Sequence, residues 1–222
     1  MQQHLRNCFE RWGLPKAIRV DNGDPWATRS DVPSALALWL VGLGVKVVLN
    51  RPYRSTDNGI VERGHGVLSK WVEAHQAHDD RALQKQLDWA VTMQRERYPA
   101  CGGKTRLQAY PDLLQSNRPY RQSDEPHLWQ FERVQAFLAD FVWTRRVDKV
   151  GRVSIFSSAY SVGRAYVGQE VHIHLDSNTH QWVIETEQGQ CLKRYACQEI
   201  TPERIYAFDL SKRANKAAHH AG

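Results

Sequence analysis

Apolar residues along the chain change rhythm several times, and each change marks an element. Leu5, Phe9 and Trp12 recur at helical spacing until Gly13 and Pro15 close the pattern, which predicts a helix over residues 2 to 12. The short run Ala17, Ile18 and Val20 then ends abruptly in Asp21, Asn22 and Gly23, a turn composition, so Asp21 falls at the C-terminal end of a strand. Leu36, Leu38, Trp39, Leu40 and Leu43 make residues 33 to 43 apolar enough for a buried helix, with Gly44 as its stop and Val45 to Leu49 as the next strand. Strand, helix and strand in this order predict part of an α/β layer with a parallel strand pair.

The loop RPYRSTDNG, Arg51 to Gly59, leads into a helical stretch reaching about His78, whose apolar set is Val61, Leu68, Trp71 and Val72. A second helix follows from about Arg81 to Arg97, carrying Leu83, Leu87, Trp89, Ala90 and Met93, until Pro99 and the pair Gly102 and Gly103 break it. From Ser116 to Glu125 the chain turns polar and proline-containing, as a linker does. Beyond it the period shortens to two: Phe141 with Trp143, Val153 to Phe156, Val171, Ile173 and Leu175, then Trp182 with Ile184, separated by the turns DKVG, DSNTH and EQGQ. The organisation predicted is an α/β domain with trailing helices over 1–115, a linker over 116–133, a small β-barrel over 134–200 and a disordered basic tail over 211–222.

Composition narrows the class of partner. Thirty Lys plus Arg against 24 Asp plus Glu leave 222 residues with a net charge of +6, which favours a polyanion, nucleic acid first among them. Simple solubility explains the same charge, so motifs must decide. No apolar run approaches the roughly 20 residues of a membrane span, and the amphipathic start is not a signal peptide. Cys8, Cys101, Cys191 and Cys197 lack the close pairing of zinc or disulfide scaffolds, so a soluble, cytoplasmic protein with free thiols is expected. Gly42 and Gly44 are followed by a strand, which excludes a dinucleotide loop, and His172 with His174 share a strand face without a third ligand nearby.

Two carboxylates stand out by position. A strand-end Asp faces the open crevice where α/β folds place their chemistry, although Asp-Asn-Gly is also a generic turn. Glu62 opens a long helix after Asn58 and Gly59, although the helix dipole favours acidic residues there on its own account. The combination is more specific than either part. IRVDNG around Asp21 and RPYRSTDNGIVERGHG around Glu62 resemble the catalytic core of DDE integrases and insertion-sequence transposases, the retroviral-integrase-like superfamily.

That resemblance implies a partial RNase-H-like core over about residues 1 to 110, followed by a small SH3-like barrel serving as a DNA-binding module. It implies a DNA transposase or integrase cutting and joining strands with Mg²⁺ or Mn²⁺, Asp21 being the second acidic ligand and Glu62 the third. The family's first Asp has no counterpart among the twenty residues before Asp21, so an upstream-encoded polypeptide is expected to supply it. The interval between Asp21 and Glu62 is longer than is common in the family, which a loop near Pro25 to Pro33 absorbs. Arg51, Arg54, Asn58, Arg63 and Lys70 near the acidic pair, and Arg145, Arg146, Lys149 and Arg152 on one barrel hairpin, are the candidate DNA contacts. Element ends and target DNA, together with further copies of the chain, are the partners implied. The alternative is a DNA-binding or oligomerising remnant of such an enzyme without catalysis of its own.

Overall fold

A computed structural model describes residues 1–26, 31–51, 59–114 and 117–206. Arg54, Asn58 and the basic tail at 211–222 lie outside them. Two compact units divide the chain, one formed by Met1–Arg6, Lys16–Leu49 and the residues from Gln122 onward, the other by Asn7–Pro15 and Asn50–Arg121.

In the first unit, strand β1 (Ala17–Val20) pairs in parallel with β2 (Lys46–Leu49), Ile18 opposite Val47 and Val20 opposite Leu49. A parallel pair needs a crossover, and helix α2 (Ala35–Gly42) provides it. Ser34 caps this helix, its hydroxyl accepting from Ala37 N at 3.1 Å. Gly44, at φ 69°, reverses the chain, letting Val45 N reach the Leu40 carbonyl at 2.9 Å. Leu36, Leu38, Trp39 and Leu40 are all buried, so α2 is apolar around its circumference, each large side chain contributing about 1.5–3 kcal/mol.

The same unit holds a four-stranded antiparallel sheet and a separate hairpin. The sheet has the order β3 (Trp143–Arg146), β6 (Glu170–Asp176), β7 (Gln181–Thr186), β8 (Cys191–Ala196), and the hairpin pairs β4 (Arg152–Ile155) with β5 (Ser158–Ser161). Strict alternation along β6 buries Val171, Ile173 and Leu175 while leaving His172 and His174 half-exposed. Aromatic rings fill the interior: Trp143 stacks on Phe141 at 5.5 Å and meets Trp182 edge-on at 5.8 Å, and Phe156 stacks on Trp182 at 5.6 Å. Trp182 Nε1 and the Tyr160 hydroxyl both donate to the Glu199 carboxylate, at 3.0 and 2.6 Å. Burial and then the adjacent Glu199 charge push the Tyr160 hydroxyl far above its ordinary pKa.

The polar stretch read as a linker contains folded structure. Helix α6 (Glu125–Leu128) and helix α7 (Phe131–Ala139) lie within and just beyond it. Glu125 is 1% exposed, receiving Arg6 through two hydrogen bonds of 2.9 and 2.7 Å and Trp39 Nε1 at 3.0 Å. Trp129 donates from Nε1 to the Trp39 carbonyl at 3.1 Å, and Gln130 N bonds the Gly42 carbonyl at 3.0 Å, tying this segment to α2. Helix α7 buries Val134 and Leu138, and the chain ends its described part in a short helix, Pro202–Tyr206, that buries Ile205.

The second unit is helical. Helix α3 spans Gly59–Trp71, stopping short of His78, and Ala74–Gln76 form a separate 3₁₀ turn. Helix α4 (Asp80–Thr92) starts at Asp79, whose carboxylate accepts from Ala82 N at 2.7 Å, and widens into a π turn at Met93–Arg97. Trp71 meets Trp89 and Tyr98 edge-on, at 6.4 and 5.3 Å. Trp12 carries the guanidinium of Arg95 at 3.8 Å and that of Arg11 at 4.7 Å from its ring, Arg11 also pairing with Asp88 at 2.7 Å.

Candidate functional site

Asp21 is the residue immediately after β1, and its side chain is exposed. The turn beyond it closes with Trp26 N bonding the Gly23 carbonyl at 3.0 Å. A side chain at Gly23 would stand 3.4 Å from an Asp21 carboxylate oxygen, so glycine keeps that flank of the carboxylate clear.

Glu62 lies in the first turn of α3 and is exposed. Gly64, Val67, Leu68 and Trp71 form the half-buried stripe of this helix, at the spacing of one face. Val61, expected in the apolar set, is 54% exposed although it is in line with Gly64 and Leu68 on the helix. Glu62, Arg63, Gly66, Ser69 and Lys70 line the exposed face, and the residue one turn after Glu62 is a glycine with open space where its Cβ would be. An anionic group meeting this face encounters two cations, Arg63 and Lys70, one above the other.

Asp21 belongs to the first unit and Glu62 to the second. Both are hard oxygen donors of the kind Mg²⁺ takes. Among the described residues no group of three or more His, Cys, Asp or Glu side chains is gathered as a metal centre.

The single hairpin expected to carry Arg145, Arg146, Lys149 and Arg152 is not formed, since β3 pairs with β6 and β4 with β5, and the basic candidates differ in what they touch. Arg51 and Lys149 are exposed. Arg146 donates from Nε to the Gly168 carbonyl at 3.0 Å. Arg152 lies 3.8 Å from Asp148, whose carboxylate also accepts from the backbone amides of Val150 and Arg152 at 3.0 and 2.8 Å. These bonds, that to the Arg152 amide foremost, hold the Asp148 carboxyl below its ordinary pKa. Arg145 is turned to Asp31, meeting its two carboxylate oxygens at 2.9 and 2.6 Å. The sequence offers no signal for that pairing, because 114 residues separate its partners. Among the described residues the His pair on β6 belongs to no group of three metal-ligating side chains, and His174 Nδ1 stands 4.0 Å from Glu185.

No family model matches the chain. Over 70 residues, 32% of its length, it is 36% identical to the Gag-Pro-Pol polyprotein of Simian retrovirus SRV-1. Over a stretch of the same length it is 34% identical to the Gag-Pro-Pol polyprotein of Mason-Pfizer monkey virus. The match spans about 4% of each of these polyproteins. The chain thus has a partial sequence likeness to polyproteins of retroviruses. Among the described residues no helix is long and apolar enough to cross a membrane.

Proposed function

We propose that this chain is part of a retroviral-integrase-like recombinase of a mobile element, acting on DNA by metal-dependent cleavage and strand transfer, with Asp21 and Glu62 among its acidic groups. One observation carries the reading: the two segments that resemble the DDE core put their carboxylates, exposed, at a strand's C-terminal end and in a helix's first turn. The partial likeness to retroviral polyproteins points the same way. A partial RNase-H-like core and an SH3-like barrel belong to this proposal, as does self-association.

The chemistry asks for little else from the protein. Hydrolysis of a phosphodiester, and attack of the freed 3′-hydroxyl on a second strand, are in-line displacements at phosphorus. Asp21, Glu62 and at least one further acidic group would hold Mg²⁺ or Mn²⁺, which would supply charge neutralisation and activation of the attacking oxygen. Arg63 and Lys70 neutralise phosphates along α3, and Lys149 with Arg152 does so at the turn between β3 and β4. Such contacts position DNA without reading its sequence.

The test is nicking and strand transfer on labelled DNA ends taken from the flanking sequence, with Mg²⁺ supplied or chelated. The chain is assayed unsubstituted, with Glu62→Gln and with Asp21→Asn. Metal-dependent activity abolished by both substitutions is the expected result. Activity indifferent to both removes these carboxylates from the centre. Inactivity throughout, with salt-sensitive DNA binding retained, leaves the non-catalytic DNA-binding reading in its place.

A further inference from the structure

Arg145 was a candidate phosphate contact by sequence, and its surroundings assign it different work. Its guanidinium bonds both carboxylate oxygens of Asp31, and its Nε donates to the Ser154 carbonyl at 3.0 Å. A third direction is taken by the Thr144 carbonyl, which accepts from Nη1 at 2.9 Å. Trp143, two residues earlier on β3, donates from its indole to the Asp31 backbone carbonyl at 3.3 Å. The side chains of one strand thus hold both the carboxylate and the main chain of a single residue. The Arg145 side chain is 22% exposed, while that of Asp31 is 58% exposed.

What Asp31 belongs to gives the contact meaning. Three residues on, the Ser34 hydroxyl caps α2 and also donates to the Trp26 carbonyl at 2.9 Å. Trp26 in turn closes the turn on Gly23, directly after Asp21. Hydrogen bonds and a short stretch of backbone therefore link β3 with the end of β1: Arg145 and Trp143 bond Asp31, the chain runs on from Asp31 to the N-cap Ser34, and Ser34 bonds Trp26, which closes the Asp21 turn. All of it lies within one unit.

We propose that Arg145 and Trp143 are positioning residues which anchor the segment carrying Asp21 to strand β3, and that Arg145 is not a DNA contact. The anchoring itself stands independently of what Asp21 does; its catalytic meaning rests on the proposed function. An Arg fork matches a carboxylate in two places at once, which fixes direction as well as distance and which Lys cannot reproduce.

Hydrogen exchange, read by mass spectrometry over peptides covering 21–34 and 171–184, tests this on the full chain. Asp31→Ala and Arg145→Ala are expected to speed exchange in 21–34 by roughly threefold to tenfold, the range of a partly exposed bidentate pair, and to leave 171–184 unchanged. Combining Asp31→Arg with Arg145→Asp restores protection in 21–34. Affinity for a generic DNA duplex, measured alongside, stays at the wild-type value in Arg145→Ala. Unchanged protection in Asp31→Ala overturns the anchor, and this variant decides the matter even if Arg145→Ala unfolds the sheet. A loss of duplex affinity in Arg145→Ala that the exchanged pair does not repair overturns the proposal in favour of a phosphate contact. Because exchange is read without any reaction, failure of the nicking assay leaves this result standing.

Discussion

The indole of Trp129 occupies the space that a side chain at Gly42 would need: a Cβ there would stand 2.0 Å from Trp129 Nε1. That nitrogen already donates to the Trp39 carbonyl, one turn earlier on the same helix, so the ring cannot withdraw without abandoning a buried hydrogen bond. Gly42 is therefore the seat on which the segment before α7 closes against α2. Alanine gains about 1 kcal/mol of helix propensity but meets overpacking of about 1–3 kcal/mol and loses the indole's bond, worth about 1–3 kcal/mol. Gly42→Ala should lose about 1–5 kcal/mol, read as a lower denaturant midpoint at unchanged slope. Gly66→Ala, on the open face of α3, serves as the contrast and should gain up to about 1 kcal/mol.

The same closure rests on Glu125. Arg6 and Trp39 spend three hydrogen bonds on this one buried carboxylate, and the Arg6 guanidinium also lies 5.3 Å from the centre of the Trp39 ring. Removing one partner of a buried pair strands the other, at about 3–5 kcal/mol. Glu125→Leu is expected to lose that much. Arg6→Met combined with Glu125→Leu should lose less than Glu125→Leu alone, since no charge is then stranded. Equal losses in the single and double variants would show that packing around Glu125, and not its charge, holds the segment.

These two relationships mark where the sequence is legible and where it is not. Residues 2 to 12, the strand ending before Asp21, the buried helix with its stop at Gly44 and the parallel pairing of β1 with β2 all follow from local periodicity and turn residues. The positions of Asp21 and Glu62 at a strand end and a helix start follow from the same local signals. Glu125 escapes because a charged residue in a polar stretch reads as solvated, and its partners Arg6 and Trp39 are 119 and 86 residues away. Helix α7 had a usable signal, Phe131, Val134 and Leu138 at helical spacing, masked by the proline-containing stretch before it. The pairing of Arg145 with Asp31 escapes for the reason that of Glu125 does: its partner is 114 residues away.

Asp176 offers a prediction in pH. Its carboxylate, with Thr179 first and then Arg194 among its hydrogen-bond partners, is held down to about 2 from an ordinary 3.8. It accepts from Asn178 N at 3.0 Å and from Arg194 at 2.9 Å, closing the turn between β6 and β7. A depressed folded-state pKa means the contribution is complete above the unfolded value and is lost as pH falls through the folded one. The window here is therefore from about 4 down to about 2. The amide resonances of Asn178 and Thr179 should titrate with a midpoint near 2 and should stay flat over this range in Asp176→Asn. A midpoint near 3.8 would mean that the turn's hydrogen bonds do not persist in solution.

The basic side chains of β3, of the turn after it and of β4 should separate by what they already touch. Lys149 is exposed, Arg152 meets Asp148 only at 3.8 Å, and Arg145 is committed to Asp31. A cation that neutralises a phosphate releases a condensed counterion, so each such contact adds about 0.9 to the slope of log affinity against log salt on duplex DNA. Anisotropy titrations of a labelled duplex between about 50 and 200 mM salt should then show Lys149→Ala and Arg152→Ala each lowering the slope by about one. Arg145→Ala should leave it unchanged. A slope that none of the three alters would move the DNA path away from this turn and onto the exposed face of α3, where Arg63 and Lys70 become the substitutions that must lower it.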